Sequence, residues 1–218
     1  MPRFGEAGAS DRFERRGPLP FADVWFEAIR DGSVPGIQNA VWMGWLDPNE
    51  RDHNSRSMMT YAAEYGPPTS IVAVAEVGGE INPDNPDDGT PLLYAVYNDH
   101  PLAVPQLLMM GAEPDTPVNG LTPLMLAAMT GNLNAVVNLH NFGADIDRPH
   151  PATGQTPLML ALEADEPQIV AYLVMNGADL GARDHEDRDI FHYAQGDSLD
   201  VLLNLIGAIG IETEVDPD

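Results

Sequence analysis

Two short segments of the sequence have residue types that could bind a metal ion or act on a substrate. His185–Asp189 (HEDRD) begins like a zinc-protease helix but lacks the second His, so it is interpreted as a solvated loop. Asn82–Gly89 (NPDNPDDG) resembles a calcium-binding loop. However, Pro86 stands at a ligand position in either register and no bidentate Glu follows. This segment is therefore interpreted as a turn-rich acidic hairpin.

Other signatures of catalysis are missing from the sequence. The chain has no cysteine, which excludes thiolate chemistry and disulfides. It has no phosphate-binding glycine loop, no nucleophile elbow and no basic stripe with interleaved aromatic residues. The six histidines are scattered singly. We therefore expect a protein that is not an enzyme, with no cofactor and no metal ion.

The charge of the chain is its most unusual bulk property. There are 34 acidic residues against ten basic ones, all of them Arg, which gives a formal net charge of −24. Such a charge repels nucleic acid and anionic membranes and favours basic partners. Solubility, or adaptation to a salty cell interior, would explain the same composition. The sequence has no membrane-length apolar run and no secretory signal, so a cytoplasmic location is expected.

The hexamer TPLMLA occurs twice, at Thr122–Ala127 and at Thr156–Ala161. Related hexamers stand in register at Ser57–Ala62, Thr90–Ala95 and Asp189–Ala194, and the five copies are spaced by 33, 32, 34 and 33 residues. Four of the units also have a turn residue followed, 12 residues later, by a glycine: Gly66 and Gly78, Asp99 and Gly111, Gly131 and Gly143, and Asp165 and Gly177. Two markers in phase predict a repeat of about 33 residues.

Each unit is predicted to form two short helices joined by a turn. The Thr of the hexamer can cap the first helix, and the Pro after it suits the first helical position. Gly or Asp at the turn position tolerates the left-handed geometry that ends this helix. The second helix opens with a proline (Pro68, Pro101 or Pro167) and carries an apolar stripe. One such helix pair cannot bury its apolar face alone, so the units must stack.

Two places depart from the regular unit, and the chain ends lie outside the array. Pro105 lies about one turn into its second helix and is expected to perturb it. Ser198 is expected to cap a last helix, Leu199–Ile209. The predicted organisation is a mobile tail over 1–17, one repeat domain over 18–210 with about five repeats and a C-terminal capping helix, and an acidic tail over 211–218.

The repeated pattern G-x-T-P-L-x-x-A-A-x-x-G, followed by about ten helical residues and G-A-D, resembles the ankyrin repeat. Gly120–Asp147 is the best copy, and the resemblance covers roughly residues 21–207. It implies an all-α fold, an ankyrin-type α-solenoid of helix-turn-helix repeats with short β-hairpin-like loops. Where the family has His after Thr-Pro-Leu, this chain has Leu93, Met125 and Met159.

The resemblance also implies a concave binding face, formed by exposed positions just after the alanines and by the hairpin tips. The first row is Arg30, Glu64, Tyr97, Met129 and Glu163, and the second is Asp31, Tyr65, Asn98, Thr130 and Ala164. The tips are Asp87, Asp88, Val118, Asn119, Leu121, Thr153, Gln155, Glu186 and Asp187. Aromatic and Met side chains ringed by polar residues are typical of an interface hot spot. Local packing against neighbouring helices is the alternative for these side chains.

The expected function is therefore a non-catalytic protein–protein interaction module. It would bind a protein partner with a basic surface through the concave face and the hairpin tips. The alternative is an acidic inhibitor, either a toxin-immunity protein or a nucleic-acid mimic, that blocks a basic enzyme. No direct binding of nucleic acid or membrane is expected, and the oligomeric state stays open.

Overall fold

Helices make up the regular structure of the chain wherever it is described. The computed structural model describes residues 22–44, 47–49, 51, 56–83 and 89–209. The predicted tails and the tip residues Asp87 and Asp88 lie outside these ranges. The helices are α1 Ala22–Asp31, α2 Val34–Trp42, α3 Met58–Tyr65, α4 Pro68–Glu76, α5 Pro91–Tyr97, α6 Ala103–Met109, α7 Pro123–Met129, α8 Leu133–Asn141, α9 Pro157–Glu163, α10 Pro167–Met175, α11 Ile190–Tyr193 and α12 Gly196–Ile209.

The helices stack in pairs, one pair for each unit of the sequence. The odd-numbered helices contact one another in succession from α1 to α11, and the even-numbered ones do so from α2 to α12. These two layers share one continuous apolar core that runs from Ala28 to Ile206. The predicted all-α fold of stacked helix-turn-helix units is confirmed. None of the described helices has the length and apolar character needed to span a membrane.

The repeated Thr-Pro motif starts the first helix of a unit, as the sequence predicts. Ser57, Thr90, Thr122 and Thr156 each accept a hydrogen bond from the backbone N–H three residues later, at 3.1 to 3.4 Å. A proline follows directly as the first residue of α5, α7 and α9, where no backbone N–H is needed. The part of the sequence that is repeated from unit to unit is therefore a helix-initiation signal.

The glycines that close the second helices adopt left-handed backbone geometry. Gly78, Gly111, Gly143 and Gly177 have φ between 89° and 94°, and a Cβ atom on any of them would meet nothing within 4 Å. Backbone conformation alone therefore favours glycine at these four positions.

Gly66 does not have the left-handed conformation that the sequence led us to expect. Its φ is −92° and its ψ is 156°, because the residue before a proline, here Pro67, is restricted to extended geometry. A Cβ atom on Gly66 would lie 2.8 Å from Cβ of Ser70 and 2.9 Å from the carbonyl oxygen of Ala62. Close approach of neighbouring atoms, rather than positive φ, requires glycine here.

The structure differs from the sequence predictions for Pro105 and Ser198. α6 begins at Ala103 rather than at Pro101, which places Pro105 in the first turn, where a missing N–H breaks no intrahelical bond. Ser198 is not the cap of the last helix, because it lies buried inside α12. Its N–H donates to Oδ1 of Asp165 at 2.9 Å, and this bond lowers the pKa of Asp165.

A ladder of side-chain hydrogen bonds joins the loops of successive units. Nδ2 of Asn49 donates to the carbonyl oxygen of Gly78 at 2.9 Å, and its Oδ1 accepts from the N–H of Glu80 at 2.8 Å. Asn82 makes the same two bonds one unit later, at 2.8 and 2.9 Å. An amide suits this position because it both donates and accepts.

The next two positions of the ladder hold carboxylates, which only accept. Asp115 accepts from the N–H of Asp145 at 3.1 Å, and Asp147 accepts from the N–H of Asp179 at 2.8 Å. An ionised carboxylate has no hydrogen to donate to the glycine carbonyl that the Asn residues bind. Each Asp of the ladder therefore only accepts a hydrogen bond from the next loop, whereas each Asn both donates one and accepts one.

We predict that Asp147→Asn stabilises the protein by about 1 kcal/mol. The new amide would add a hydrogen bond to the Gly177 carbonyl and remove one negative charge from a crowded loop. The matched control, Asn82→Asp, should lose about as much because it removes a donor. Urea unfolding measures both changes, and an unchanged or lowered stability of Asp147→Asn would contradict the ladder.

Candidate functional site

The predicted first row lies at the C-terminal ends of the first helices. Tyr97, Met129 and Glu163 are the last residues of α5, α7 and α9, and Glu64 is the next-to-last residue of α3. Tyr97 is 48% exposed, Met129 is half-buried and Glu163 is exposed. Glu64 is only 8% exposed. With Arg30 near the end of α1, which is also exposed, four of the five positions of the row are accessible to a partner and only Glu64 is not.

Glu64 is inaccessible to a partner because the side chain of Arg56, eight residues earlier, covers it. Nη1 of Arg56 is 2.7 Å from Oε2 of Glu64. The guanidinium also lies 4.9 Å from the ring centroid of Tyr94 in the next unit and 5.9 Å from that of Tyr61. Burial disfavours the charge of Arg56, but the Glu64 carboxylate together with the Tyr94 and Tyr65 side chains outweighs burial and raises the Arg56 pKa. The prediction that Glu64 is exposed to a partner is therefore wrong, and the pair joins two units.

Tyr65, the residue of the second row that lies in α3, packs against other aromatic rings. Its ring centroid lies 5.6 Å from that of Phe26 and 6.1 Å from that of Tyr61. Tyr65 is half-buried, and burial together with the nearby Glu64 carboxylate raises its pKa. Local packing, the alternative stated for these side chains, therefore accounts for much of the Tyr65 surface.

The relation between Arg56 and Glu64 recurs with different chemistry in a later unit. Nε2 of Gln155 donates to Oε2 of Glu163 at 2.8 Å, again across eight residues, and both side chains face solvent. In the two units between, the equivalent positions are occupied first by Gly89 and Tyr97 and then by Leu121 and Met129. We call these two-residue sets the paired positions. They change along the array from a partly buried ion pair, Arg56–Glu64, to glycine with an exposed tyrosine, then to two apolar residues, and finally to an amide–carboxylate pair.

Two exposed members of the second row hydrogen-bond to the ends of their own helices. Nδ2 of Asn98 donates to the carbonyl oxygen of Tyr94 at 2.9 Å, and Oγ1 of Thr130 donates to that of Leu126 at 2.9 Å. Both residues are exposed and directly follow an accessible residue of the first row. They therefore place fixed polar groups beside Tyr97 and Met129.

The best-defined predicted hairpin tip is a two-residue turn. Val118 and Leu121 exchange backbone hydrogen bonds of 2.9 and 3.0 Å, and Asn119 and Gly120 between them have φ of 52° and 85°. Positive φ at both central residues is the pattern of a type I′ turn. Val118 is buried, whereas Asn119 is exposed and Leu121 half-buried. The turn therefore places Leu121 directly before Thr122, which caps α7, the helix that ends at Met129.

The last tip is built around a buried carboxylate, Asp184, that no sequence pattern points to. Asp184 accepts hydrogen bonds from the Tyr193 hydroxyl at 2.5 Å, from Nε of Arg188 at 2.6 Å, and from the N–H groups of Glu186 and Arg188 at 2.9 Å. Burial favours the neutral acid, but these hydrogen bonds together lower the Asp184 pKa well below its usual range. Burial and the same carboxylate raise the pKa of Tyr193 to about 12. Glu186 and Asp187 are exposed on this anchored loop.

The exposed acids of the last tip have arginine neighbours within the chain. Nη1 of Arg188 lies 3.0 Å from Oε2 of Glu186, and Nη1 of Arg183 lies 3.7 Å from Oδ1 of Asp187. Such exposed ion pairs contribute little to stability and exchange readily with other partners. Within the described residues, no cluster of three or more His, Asp or Glu side chains is arranged to hold a metal ion.

Comparison with known proteins agrees with this architecture. Residues 103–184 match the family model described as ankyrin repeats in three copies. The crystal structure of the human ASB11 ankyrin repeat domain aligns with a TM-score of 0.72 and 23% sequence identity, over 91% of this chain and 86% of that chain. No curated protein sequence matches the chain significantly. The predicted resemblance to the ankyrin repeat is therefore confirmed, and the fold is that of an ankyrin repeat domain.

We predict that Glu64→Gln lowers the free energy of unfolding by about 2 kcal/mol. The change keeps the shape of the side chain but leaves the largely buried Arg56 without its counter-charge. The control, Glu163→Gln, changes an exposed carboxylate at the equivalent position and should cost no more than about 0.5 kcal/mol. Chemical denaturation of both variants checks the difference, and equal losses would contradict the assignment of Glu64 to the scaffold.

We also predict that Asp184 makes the fold sensitive to acid. Its folded-state pKa lies below the unfolded value of about 3.9, so its contribution is present above that pH and is lost as the pH falls through the folded-state pKa. Asp184→Asn should lower the melting temperature at neutral pH, and its difference from wild type should shrink on acidification. Melting curves from about pH 7 to about pH 3 test this. A difference in melting temperature between the two proteins that stays the same at every pH would contradict it.

Proposed function

We propose that this chain of stacked ankyrin repeats is a non-catalytic module that binds a protein with a basic surface. Ankyrin repeats are generally protein–protein interaction modules, and the fold is the coarse basis for the proposal. The finer basis is the chemistry of the row from Tyr97 to Glu163. We propose that this row and the adjoining tips contact the partner directly.

The change in the paired positions along the array carries the proposal. In the unit of α3, the ion pair with Arg56 makes Glu64 inaccessible to a partner. The partner would therefore contact mainly the units that follow. There the row presents an exposed aromatic ring at Tyr97 and an apolar side chain at Met129, and then the exposed carboxylate of Glu163. Aromatic and Met anchors bordered by polar groups have the composition of an interaction hot spot.

The charge balance favours a cationic partner. The chain has 34 acidic residues and ten arginines, and several arginines already pair with carboxylates of the same chain. The surplus of negative charge attracts a basic surface over a distance and accelerates encounter. Within the contact, Glu163 and the tip residues Glu186 and Asp187 are the carboxylates that a Lys or Arg of the partner would meet.

An acidic inhibitor of a basic enzyme is the second candidate, favoured by the same surplus of carboxylates. The two candidates differ in what binding does to the partner. A toxin-immunity protein or nucleic-acid mimic would suppress turnover of the bound enzyme at an equimolar ratio. A nucleic-acid mimic would in addition compete with DNA or RNA for the partner, whereas a simple interaction module would leave catalysis by its partner intact.

We predict that the double variant Tyr97→Ala with Met129→Ala binds the partner at least about tenfold more weakly than wild type. The partner is first identified by affinity capture from the native host and mass spectrometry. The affinity should also fall steeply between about 0.05 M and about 0.5 M NaCl, since screening weakens charge attraction.

The matched control for this experiment is Gln168→Ala, which changes an exposed residue of α10 in the other helix layer. It should bind like wild type, and all three proteins should melt at similar temperatures. Equal affinity of the double variant and wild type would show that the partner binds elsewhere. An affinity independent of salt would refute the basic partner and leave the fold assignment untouched.

A further inference from the structure

Three successive helices of the even-numbered layer contain no charged residue. The sequences of α6, α8 and α10 are AVPQLLM, LNAVVNLHN and PQIVAYLVM, in a chain of which 20% is Asp, Glu, Lys or Arg. One side of each helix packs into the core, through residues such as Leu107, Leu139 and Leu173. The other side faces solvent without the charges that a surface helix normally carries there.

Large apolar side chains are exposed at the C-terminal ends of these three helices. Met109 and Met175 are the last residues of α6 and α10, and Phe142 directly follows α8. Their exposed fractions are 64%, 73% and 43%. We call these three residues the outer row. An exposed apolar row of this kind is a common feature of interaction sites.

The outer row is held on one continuous surface by contacts between neighbouring units. α8 contacts both α6 and α10. Nδ1 of His140 lies 3.0 Å from the Tyr172 hydroxyl oxygen, and the two rings meet edge to face with centroids 5.7 Å apart. These contacts join the last turn of α8 to α10, next to Phe142 and Met175.

An acidic residue accompanies each member of the outer row. Glu113, Asp145 and Asp179 follow Met109, Phe142 and Met175 by three or four residues, and all three acids are exposed. Their backbone N–H groups are the ones bound by the ladder of Asn and Asp side chains, which fixes the loops that carry them. We call these three acids the acidic rim. Each of the three units thus presents one apolar and one anionic group.

We propose that the outer row and the acidic rim form a second protein-binding surface, which accepts a basic amphipathic helix. Packed helices lie about 8–10 Å apart, so the members of the outer row recur at about that distance. Residues one heptad apart on a helix are separated by about 10.5 Å along its axis. A helix with apolar residues at heptad spacing therefore matches successive units, and Lys or Arg beside them meets the acidic rim. Methionine side chains adapt readily to such an apolar face.

Charge complementarity selects this occupant over the others that an apolar row could accept. A second copy of the chain would bring another net charge of −24 against the same surface. Anionic membranes and nucleic acids carry the same sign of charge and are repelled for the same reason. The outer row lies in the even-numbered layer, whereas Tyr97 and Met129 end odd-numbered helices, so two partners can bind at once.

Two synthetic helical peptides of about three heptads test the proposal directly. One has Leu at heptad spacing flanked by Lys, and the other has the same composition in scrambled order. Fluorescence anisotropy should give at least about tenfold tighter binding of the patterned peptide to wild type. The triple variant Met109→Gln, Phe142→Gln, Met175→Gln should abolish this preference. The matched control, Tyr97→Ala with Met129→Ala, should keep it, so failure of this surface is distinguishable from failure of the concave row.

Several results would overturn the proposal. Equal binding of both peptides to wild type would mean attraction by charge alone, and an unchanged preference in the triple variant would place the peptide elsewhere. Self-association in sedimentation velocity, lost in the triple variant, would assign the outer row to a second copy. Binding to phosphatidylcholine vesicles, lost in the same variant, would assign it to a membrane. If the triple variant melts early, the single variant Met175→Gln, at the most exposed position, gives the same comparison.

Discussion

The structure depends on one constraint, which is that a single helix pair cannot bury its own apolar face. Each pair therefore packs on the next, and the buried side chains of all units merge into one core. Small residues make this stacking close, since Ala95, Ala127 and Ala161 of the repeated hexamers are fully buried between helices. The Thr and Pro of the hexamers serve the same end, because they start each first helix at the same register.

Stacking divides the surface into positions that must be kept and positions that can vary. Capping and burial restrict which residues can occupy the hexamer. Stacking requires no particular contact from the residues just after it, so these can differ from unit to unit. One unit uses this freedom for a structural ion pair, Arg56–Glu64, and later units place Tyr97, Met129 and Glu163 there. On the other layer, the same freedom leaves an uncharged surface bordered by acids. Both candidate surfaces thus arise from side chains that the scaffold does not require.

The period, the caps and the stacking of helix pairs could be predicted from the sequence because they depend on local signals repeated in register. The burial of Glu64 could not, because it depends on Arg56 lying over it and on aromatic rings from two units. Gly66 was misjudged because the constraint from Pro67 outweighs the pattern of the other turns. Asp184 was not identified from the sequence because its hydrogen-bond donors come together only in the folded protein. No residue spacing predicts that arrangement.

The most direct test of this account is amide hydrogen exchange on the variant Leu124→Ala. Leu124 is fully buried in α7, which contacts both α5 and α9, and the cavity should cost about 2–5 kcal/mol. If stacking couples the units, exchange should accelerate in helices of several units on both sides of α7. Acceleration confined to α7 and α8, with the other helices protected as in wild type, would contradict the claim that the units are stable only as a stack.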